Sequence, residues 1–127
     1  MSVILKSDVD TAQDFVIAGT ENTAPGTRMA LRRISPNDSL QLLGGSNTGG
    51  NIALGSGANT APEGQDLLIT IKFNGANSTI RINGTELASG NIGTNPFASL
   101  NIGGNESESS TLKGYMAEII FFKDLNK

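Results

Sequence analysis

Apolar and polar residues alternate most regularly in the second half of the chain. In LLITIKF at 67–73, every second residue is apolar and shares one face, which is the signature of a half-buried strand. After the turn NGANST, Ile80 and Ile82 alternate with Arg81. Asn83–Gly84 then supplies the positive φ angles of a tight hairpin, and TELAS is the return strand. The pattern predicts an antiparallel meander of three strands.

Shorter runs of the same kind fill the first half of the chain. The predicted strands there are DFVIAG at 14–19, RMALRRI at 28–34, SLQLLGG at 39–45 and NIALGSG at 51–57. Turn segments rich in Pro, Gly and Asn separate them. In RMALRRI the pattern does not decide which face of the strand is buried, because the alternating set that contains Met29 and Leu31 also contains Arg33. Regular spacing of short strands and turns predicts an antiparallel β-sandwich or jelly roll.

The densest apolar segment, YMAEIIFF at 115–122, stands near the end of the chain and follows a shorter predicted strand within PFASLNIGG at 96–104. Both faces of YMAEIIFF are largely apolar, which predicts a central strand covered on two sides. Glu118 lies in the middle of it. A buried carboxylate needs a partner, so we expect Glu118 to be structural, paired with a base such as Arg81 or Lys113.

Composition narrows the classes of function. The 127 residues fit one domain, 1–127, and include 16 glycines but neither cysteine nor histidine, which excludes thiolate and imidazole chemistry. A net charge of −3 gives no electrostatic case for a nucleic-acid partner, and the arginines at 28, 32 and 33 are expected to be solvated. No apolar run is long enough for a membrane span or a signal-peptide core, so we expect synthesis in the cytoplasm without a signal peptide.

The order of the last elements resembles the laminin-G-like, or concanavalin A-like lectin/glucanase, jelly roll. The strand LLITIKFNG, the hairpin STIRINGTELASG, the strand LNIGG and the final LKGYMAEIIFFKDLN follow one another as in that family. The resemblance covers roughly residues 65 to 127 and implies a short form of the jelly roll. This chain lacks the family's usual tryptophan, and its shortness implies a missing or shortened N-terminal strand. A neighbouring subunit would cover the edge so exposed, which predicts a homo-oligomer.

Candidate chemistry is sparse. Glycosidases of the family need two carboxylates on opposite sides of the sugar. The one close pair in the sequence, Glu106 and Glu108, lies in a polar loop. A degenerate glycosidase is therefore a distant third possibility, after a structural protein and a glycan-binding module. Sugar recognition would use asparagines in the loops. The alternative is that these asparagines only form turns, a role that Asn commonly has. The candidate ligand-binding residues are Asn47, Asn51, Asn74, Asn77 and Asn105. No metal site and no cofactor are predicted.

These features together favour a structural or adhesion protein that is not an enzyme. The resemblance extends to laminin-G-like proteins of bacteriophage virions, which implies a capsid decoration or fibre component that assembles in the host cytoplasm. Its partners would then be other virion proteins or copies of itself, with no nucleic acid and no membrane. The alternative is a lectin-like module that recognises a cell-surface glycan through its loop asparagines.

Overall fold

The chain is all-β in the computed structural model, which describes residues 2–7, 13–19, 29–34, 37–45, 51–93, 100–104 and 111–121. The strands in these ranges are β1 (Ser2–Ser7), β2 (Gln13–Gly19), β3 (Met29–Ile34), β4 (Ser39–Gly45), β5 (Asn51–Gly55), β6 (Leu67–Lys72), β7 (Ser78–Ile82), β8 (Thr85–Gly90), β9 (Leu100–Ile102) and β10 (Gly114–Ile120). Within the same ranges the one helical element is the 3-10 turn Gly75–Asn77, so no helix there could cross a membrane.

The strands form two five-stranded antiparallel sheets. One has the order β10-β1-β6-β7-β8 and the other the order β5-β4-β3-β2-β9. The predicted meander is confirmed as β6-β7-β8, and Asn83 and Gly84 have the φ angles of 51° and 83° that the tight hairpin requires. The strands predicted in the first half and around Leu100 are confirmed as well, with small shifts at their ends.

One apolar core joins the two sheets. Leu31 and Leu42 come from β3 and β4, while Ile69 and Ile80 come from β6 and β7, and all four are fully buried. The alternation in the sequence accounts for this, because in β6 the odd-numbered residues are buried and the even-numbered ones are exposed or half-buried. Each such side chain contributes about 1.5–3 kcal/mol on burial. The two sheets are therefore held together by facing rows of Leu and Ile.

The placement of the last strand is a correction to the sequence-based expectation. Among the described strands, β10 pairs only with β1 and lies at the edge of its sheet, whereas β1, at residues 2–7, was not predicted at all. Met116 and Ile119 pack against the core, but Tyr115 and Ile120 are exposed. The apolar residues on both faces of YMAEIIFF thus reflect an edge strand with an apolar outer side, a pattern that periodicity cannot distinguish from two-sided burial.

The arginines of β3 also differ from expectation. Arg33 is only 1% exposed, and the Arg32 side chain is half-buried, with its Nε donating to Oε1 of Gln41 on β4 at 2.8 Å. The expectation of a solvated side chain was therefore wrong for Arg33, whereas Arg32 remains partly exposed, and Arg28 lies outside the described residues. Arg33 shares the alternating set of Met29 and Leu31, so the pattern that places those two in the core places the guanidinium there too.

Candidate functional site

A tight connection between β6 and β7 presents two of the predicted asparagines. Its backbone is fixed by the buried Ser78, whose hydroxyl donates to the carbonyl of Gly75 at 2.9 Å and accepts from the amide of Asn74 at 3.0 Å. The Asn77 amide donates to the carbonyl of Asn74 at 2.9 Å, which closes the 3-10 turn. Both asparagine side chains remain exposed, so the turn holds them at the surface.

The segment that follows β8 ties this turn to the other sheet. Ile92 is fully buried in the core, and its amide donates to the carbonyl of Gly75 at 3.1 Å. At Gly44, at the end of β4, an added Cβ would lie 1.7 Å from the carbonyl oxygen of Ile92. At Gly93 an added Cβ would lie 1.9 Å from the carbonyl oxygen of Gly45. The backbone at the end of β4 therefore lies directly against the backbone of Ile92 and Gly93. Only glycine, at positions 44 and 93, permits this close approach.

Four asparagines consequently share one end of the molecule, which we call the asparagine end. Asn51 pairs with Gly45 in the β4–β5 ladder, Asn74 precedes the 3-10 turn, Asn77 ends it, and Asn91 precedes the buried Ile92. The structure thus brings together three of the five residues predicted from the sequence, with only the backbone of Asn51 described. Asn47 and Asn105 lie outside the described residues.

Asn91 was missed by the sequence reasoning. Its Oδ1 accepts from the amide of Gly93 at 2.9 Å, which forms a local turn of the kind that Asn side chains favour. The sequence signal that could have identified it is an Asn followed two residues later by Gly, directly after a predicted strand.

The chemistry of the asparagine end is that of neutral hydrogen bonding. The side-chain amides of Asn74 and Asn77 make no hydrogen bond to any other residue that the structure describes. Each amide offers both an acceptor oxygen and two donor hydrogens. Such groups suit the hydroxyls of a sugar, which likewise donate and accept.

Glu118 is exposed, whereas the sequence predicted a buried carboxylate. It lies exposed on the edge strand β10, and no hydrogen bond or ion pair joins it to another residue in the described ranges. Arg81, one of its expected partners, instead pairs across the β7–β8 ladder with Glu86, where Nη2 and Oε2 lie 2.7 Å apart. The expectation that Glu118 is buried was therefore wrong, because it lies on the exposed outer face of β10.

The structural ion cluster is centred on Arg33. Its Nη2 donates to Oδ1 of Asp38, its Nε donates to the carbonyl of Ala61 at 3.1 Å, and its Nη1 lies 3.6 Å from Oε1 of Glu63. The Ala61 amide in turn donates to the carbonyl of Asp38 at 2.7 Å. These contacts fasten the connection between β5 and β6 against the β3–β4 hairpin. The guanidinium is enclosed, so we assign the cluster to stability and not to ligand binding.

Exposed apolar residues collect on one side of the molecule. Large apolar side chains there are each more than a third exposed, and we call this set the apolar edge: Leu100, Ile102, Tyr115, Ile120 and Phe121. The strands that carry them are adjacent, because Gly104 bridges to Thr111 and the Leu112 amide donates to the carbonyl of Gly103 at 2.8 Å.

The opposite side of the molecule is closed. There β5 contacts β8, and the Leu54 side chain lies 3.3 Å from the position of a Cβ at Gly90. Leu68, on the outer face of β6, is the one further exposed large apolar residue in the described ranges. The uncovered apolar surface of the described residues is therefore concentrated around β9 and β10.

Comparison of the chain with protein-family models, with curated proteins and with solved structures finds no match in any of the three. Within the described ranges, no three Asp or Glu residues gather in a way that could hold a metal ion. The candidate surfaces are therefore interpreted from their own geometry, as two separate features: the asparagine end and the apolar edge.

Proposed function

We propose that the chain is a non-enzymatic structural or adhesion protein that assembles with copies of itself, or with other proteins of a larger particle, through the apolar edge. The observation that carries this proposal is the concentration of exposed apolar side chains on β9, on β10 and directly after it, around the bridge from Gly104 to Thr111. An exposed apolar patch on a small domain marks an interaction surface, and an unpaired strand edge favours pairing with another chain.

The fold type and the place of action belong to the same proposal. Two five-stranded antiparallel sheets around one core support a β-sandwich, and the order of the final elements supports a short form of the concanavalin A-like jelly roll. By the same resemblance we place the protein in a bacteriophage virion, as a capsid decoration or fibre component.

The assembly proposal is tested with the full chain in solution and with particles. Sedimentation velocity at micromolar concentration should give a species of at least twice the 13.2 kDa chain mass. Antibody raised against the chain should label phage particles in immunogold electron microscopy of a lysate from cells that produce it. Oligomers without labelled particles would retain the assembly role and overturn the virion assignment. A monomer would overturn self-assembly, and a monomer without labelled particles would overturn the assembly role as a whole.

A glycan-binding module is the second candidate, and a specific observation favours it. The exposed amides of Asn74 and Asn77 lie on a hydrogen-bonded turn, and no other described residue uses their donors or acceptors. A glycan array probed with the labelled chain tests this function. Binding that is lost in Asn74→Ala/Asn77→Ala would support it. The matched control is Asn59→Ala, an exposed turn position outside the asparagine end that should leave binding unchanged.

A further inference from the structure

Two Asn–Gly pairs, Asn74–Gly75 and Asn83–Gly84, lie in the two connections of the β6-β7-β8 meander. Asparagine is a chemically labile residue, because the backbone nitrogen of the residue that follows it can attack the side-chain amide. Glycine at that following position has no Cβ to obstruct the attack. Both asparagines are exposed to water. The two pairs share the reactive dipeptide, so the fold decides which of them reacts faster.

The fold restrains the second pair at its reacting side chain. The Oδ1 atom of Asn83 accepts from the amide of Leu68 at 3.0 Å, and the Asn83 backbone amide donates to the Leu68 carbonyl at 2.8 Å. On either side of the pair, Ile82 and Thr85 lie opposite each other in the β7–β8 ladder. Ring closure at Asn83 therefore requires its side chain to leave Leu68 and its peptide to turn inside a two-residue hairpin anchored at both ends.

The first pair is restrained less at the atoms that react. The Asn74 side chain makes no hydrogen bond to any other residue that the structure describes. For ring closure the peptide that joins Asn74 to Gly75 must turn toward this side chain, which breaks the bond from the Asn77 amide to the Asn74 carbonyl at 2.9 Å. The Gly75 carbonyl, which accepts from Ser78 and Ile92, belongs to the next peptide. Exposed turns open locally at little cost in free energy, so this bond is a weak restraint.

We propose that Asn74 is a site of spontaneous deamidation in the folded protein and that the fold protects Asn83. The backbone nitrogen of Gly75 attacks Cγ of Asn74, so that an N–Cγ bond forms and the Cγ–Nδ2 bond breaks. Ammonia leaves with the proton of the Gly75 amide. Water then opens the cyclic imide at one of its two carbonyls, which gives aspartate or isoaspartate at position 74. The inference goes beyond the proposed function and does not depend on it.

The modification changes the asparagine end. Either product carries a negative charge where the native side chain of Asn74 is neutral, and the other asparagines described at that end, Asn77 among them, are neutral as well. The isoaspartate product also adds its Cβ atom to the backbone, within the turn that Ser78 and Asn77 close by hydrogen bonds. Deamidation therefore gives this end of the molecule a new charge and a new backbone path as the protein ages.

Peptide mapping by mass spectrometry tests the proposal on the full chain, incubated in mildly alkaline buffer. Position 74 should gain the mass difference between water and ammonia at least about fivefold faster than position 83, the effect of the one side-chain hydrogen bond that Asn83 must open. Labelling with a protein isoaspartyl methyltransferase should detect isoaspartate in the same peptide. The variant Asn74→Gln keeps an exposed amide but forms the ring far more slowly, and it should remove the change at position 74 and leave position 83 unaltered.

The same measurement on the chain unfolded in urea separates the effect of the fold from that of the local sequence. Without the contacts to Leu68, the two pairs should react at similar rates. The proposal is overturned if position 83 reacts as fast as position 74 in the folded chain, or if position 74 reacts no faster than Asn77, which serine follows. A preference for position 74 that persists unchanged in urea also overturns it, and a preference found only in the folded chain supports it.

Discussion

Removing the negative charges of Asp38 and Glu63 tests whether the buried Arg33 depends on its two carboxylates. In the variant Asp38→Asn/Glu63→Gln the guanidinium, 1% exposed, retains the carbonyl of Ala61 but has no countercharge within ion-pair distance among the described residues. A buried charge left without its partner costs about 3–5 kcal/mol. Because the two carboxylate side chains are 31% and 37% exposed, solvent screens part of their attraction, and we expect the lower end, about 3 kcal/mol.

Removing the cation should cost less. In Arg33→Met the apolar side chain fills most of the space of the arginine stem, and the partly exposed Asp38 and Glu63 can turn to water. The Ala61 carbonyl loses its donor, so we expect a loss of about 1 kcal/mol. The triple variant should match Arg33→Met, because the neutralised carboxylates no longer face a buried charge. Arg81→Met, which breaks an exposed pair with Glu86, is the control and should cost at most about 1 kcal/mol.

Urea unfolding followed by circular dichroism measures these differences. For an m-value of about 2 kcal/mol/M, the midpoint of Asp38→Asn/Glu63→Gln should fall by about 1.5 M, and that of Arg33→Met by about 0.5 M. A double variant within about 0.5 kcal/mol of the native chain, or a triple variant as unstable as the double, would refute the assignment of Arg33 as a buried charge held by its carboxylates.

Two further substitutions test how the asparagine end is built. Gly44→Ala should lower the unfolding free energy by about 3 kcal/mol or more, because its Cβ would meet the carbonyl of Ile92 at 1.7 Å, whereas Gly55→Ala, with open space around it, should change stability by less than about 1 kcal/mol. Ile92→Ala should cost about 2–5 kcal/mol, since that side chain is fully buried, and the exposed Ile102→Ala should cost far less. Urea unfolding midpoints measure all four variants. Equal costs for Gly44→Ala and Gly55→Ala would contradict the close approach of Gly44 to Ile92, and equal costs for Ile92→Ala and Ile102→Ala would contradict the burial of Ile92 in the core.

The sequence predicted the local parts of the fold well and the long-range parts less well. The β6-β7-β8 meander was predictable because alternation and the Asn83–Gly84 turn are local signals. The position of the short β1 between β10 and β6 depends on partners more than 60 residues away. For the same reason β10 was assigned a central place, since periodicity describes faces and not neighbours.

The candidate surfaces show the same division. The polar loop asparagines were recognisable as exposed, but their meeting at one end depends on the crossing of Gly44 with Ile92, which no local pattern indicates. Arg33 was misassigned because charge in an alternating strand usually faces water, and its carboxylates lie in separate turns. Burial of this kind is decided by tertiary contacts.

The central claim, that this small β domain assembles with copies of itself through its apolar edge, is tested most directly by sedimentation velocity of the unmodified chain across the micromolar range. The account predicts a concentration-dependent species of about 26 kDa or larger, at least twice the chain mass of 13.2 kDa. A single species of 13.2 kDa throughout that range would contradict it.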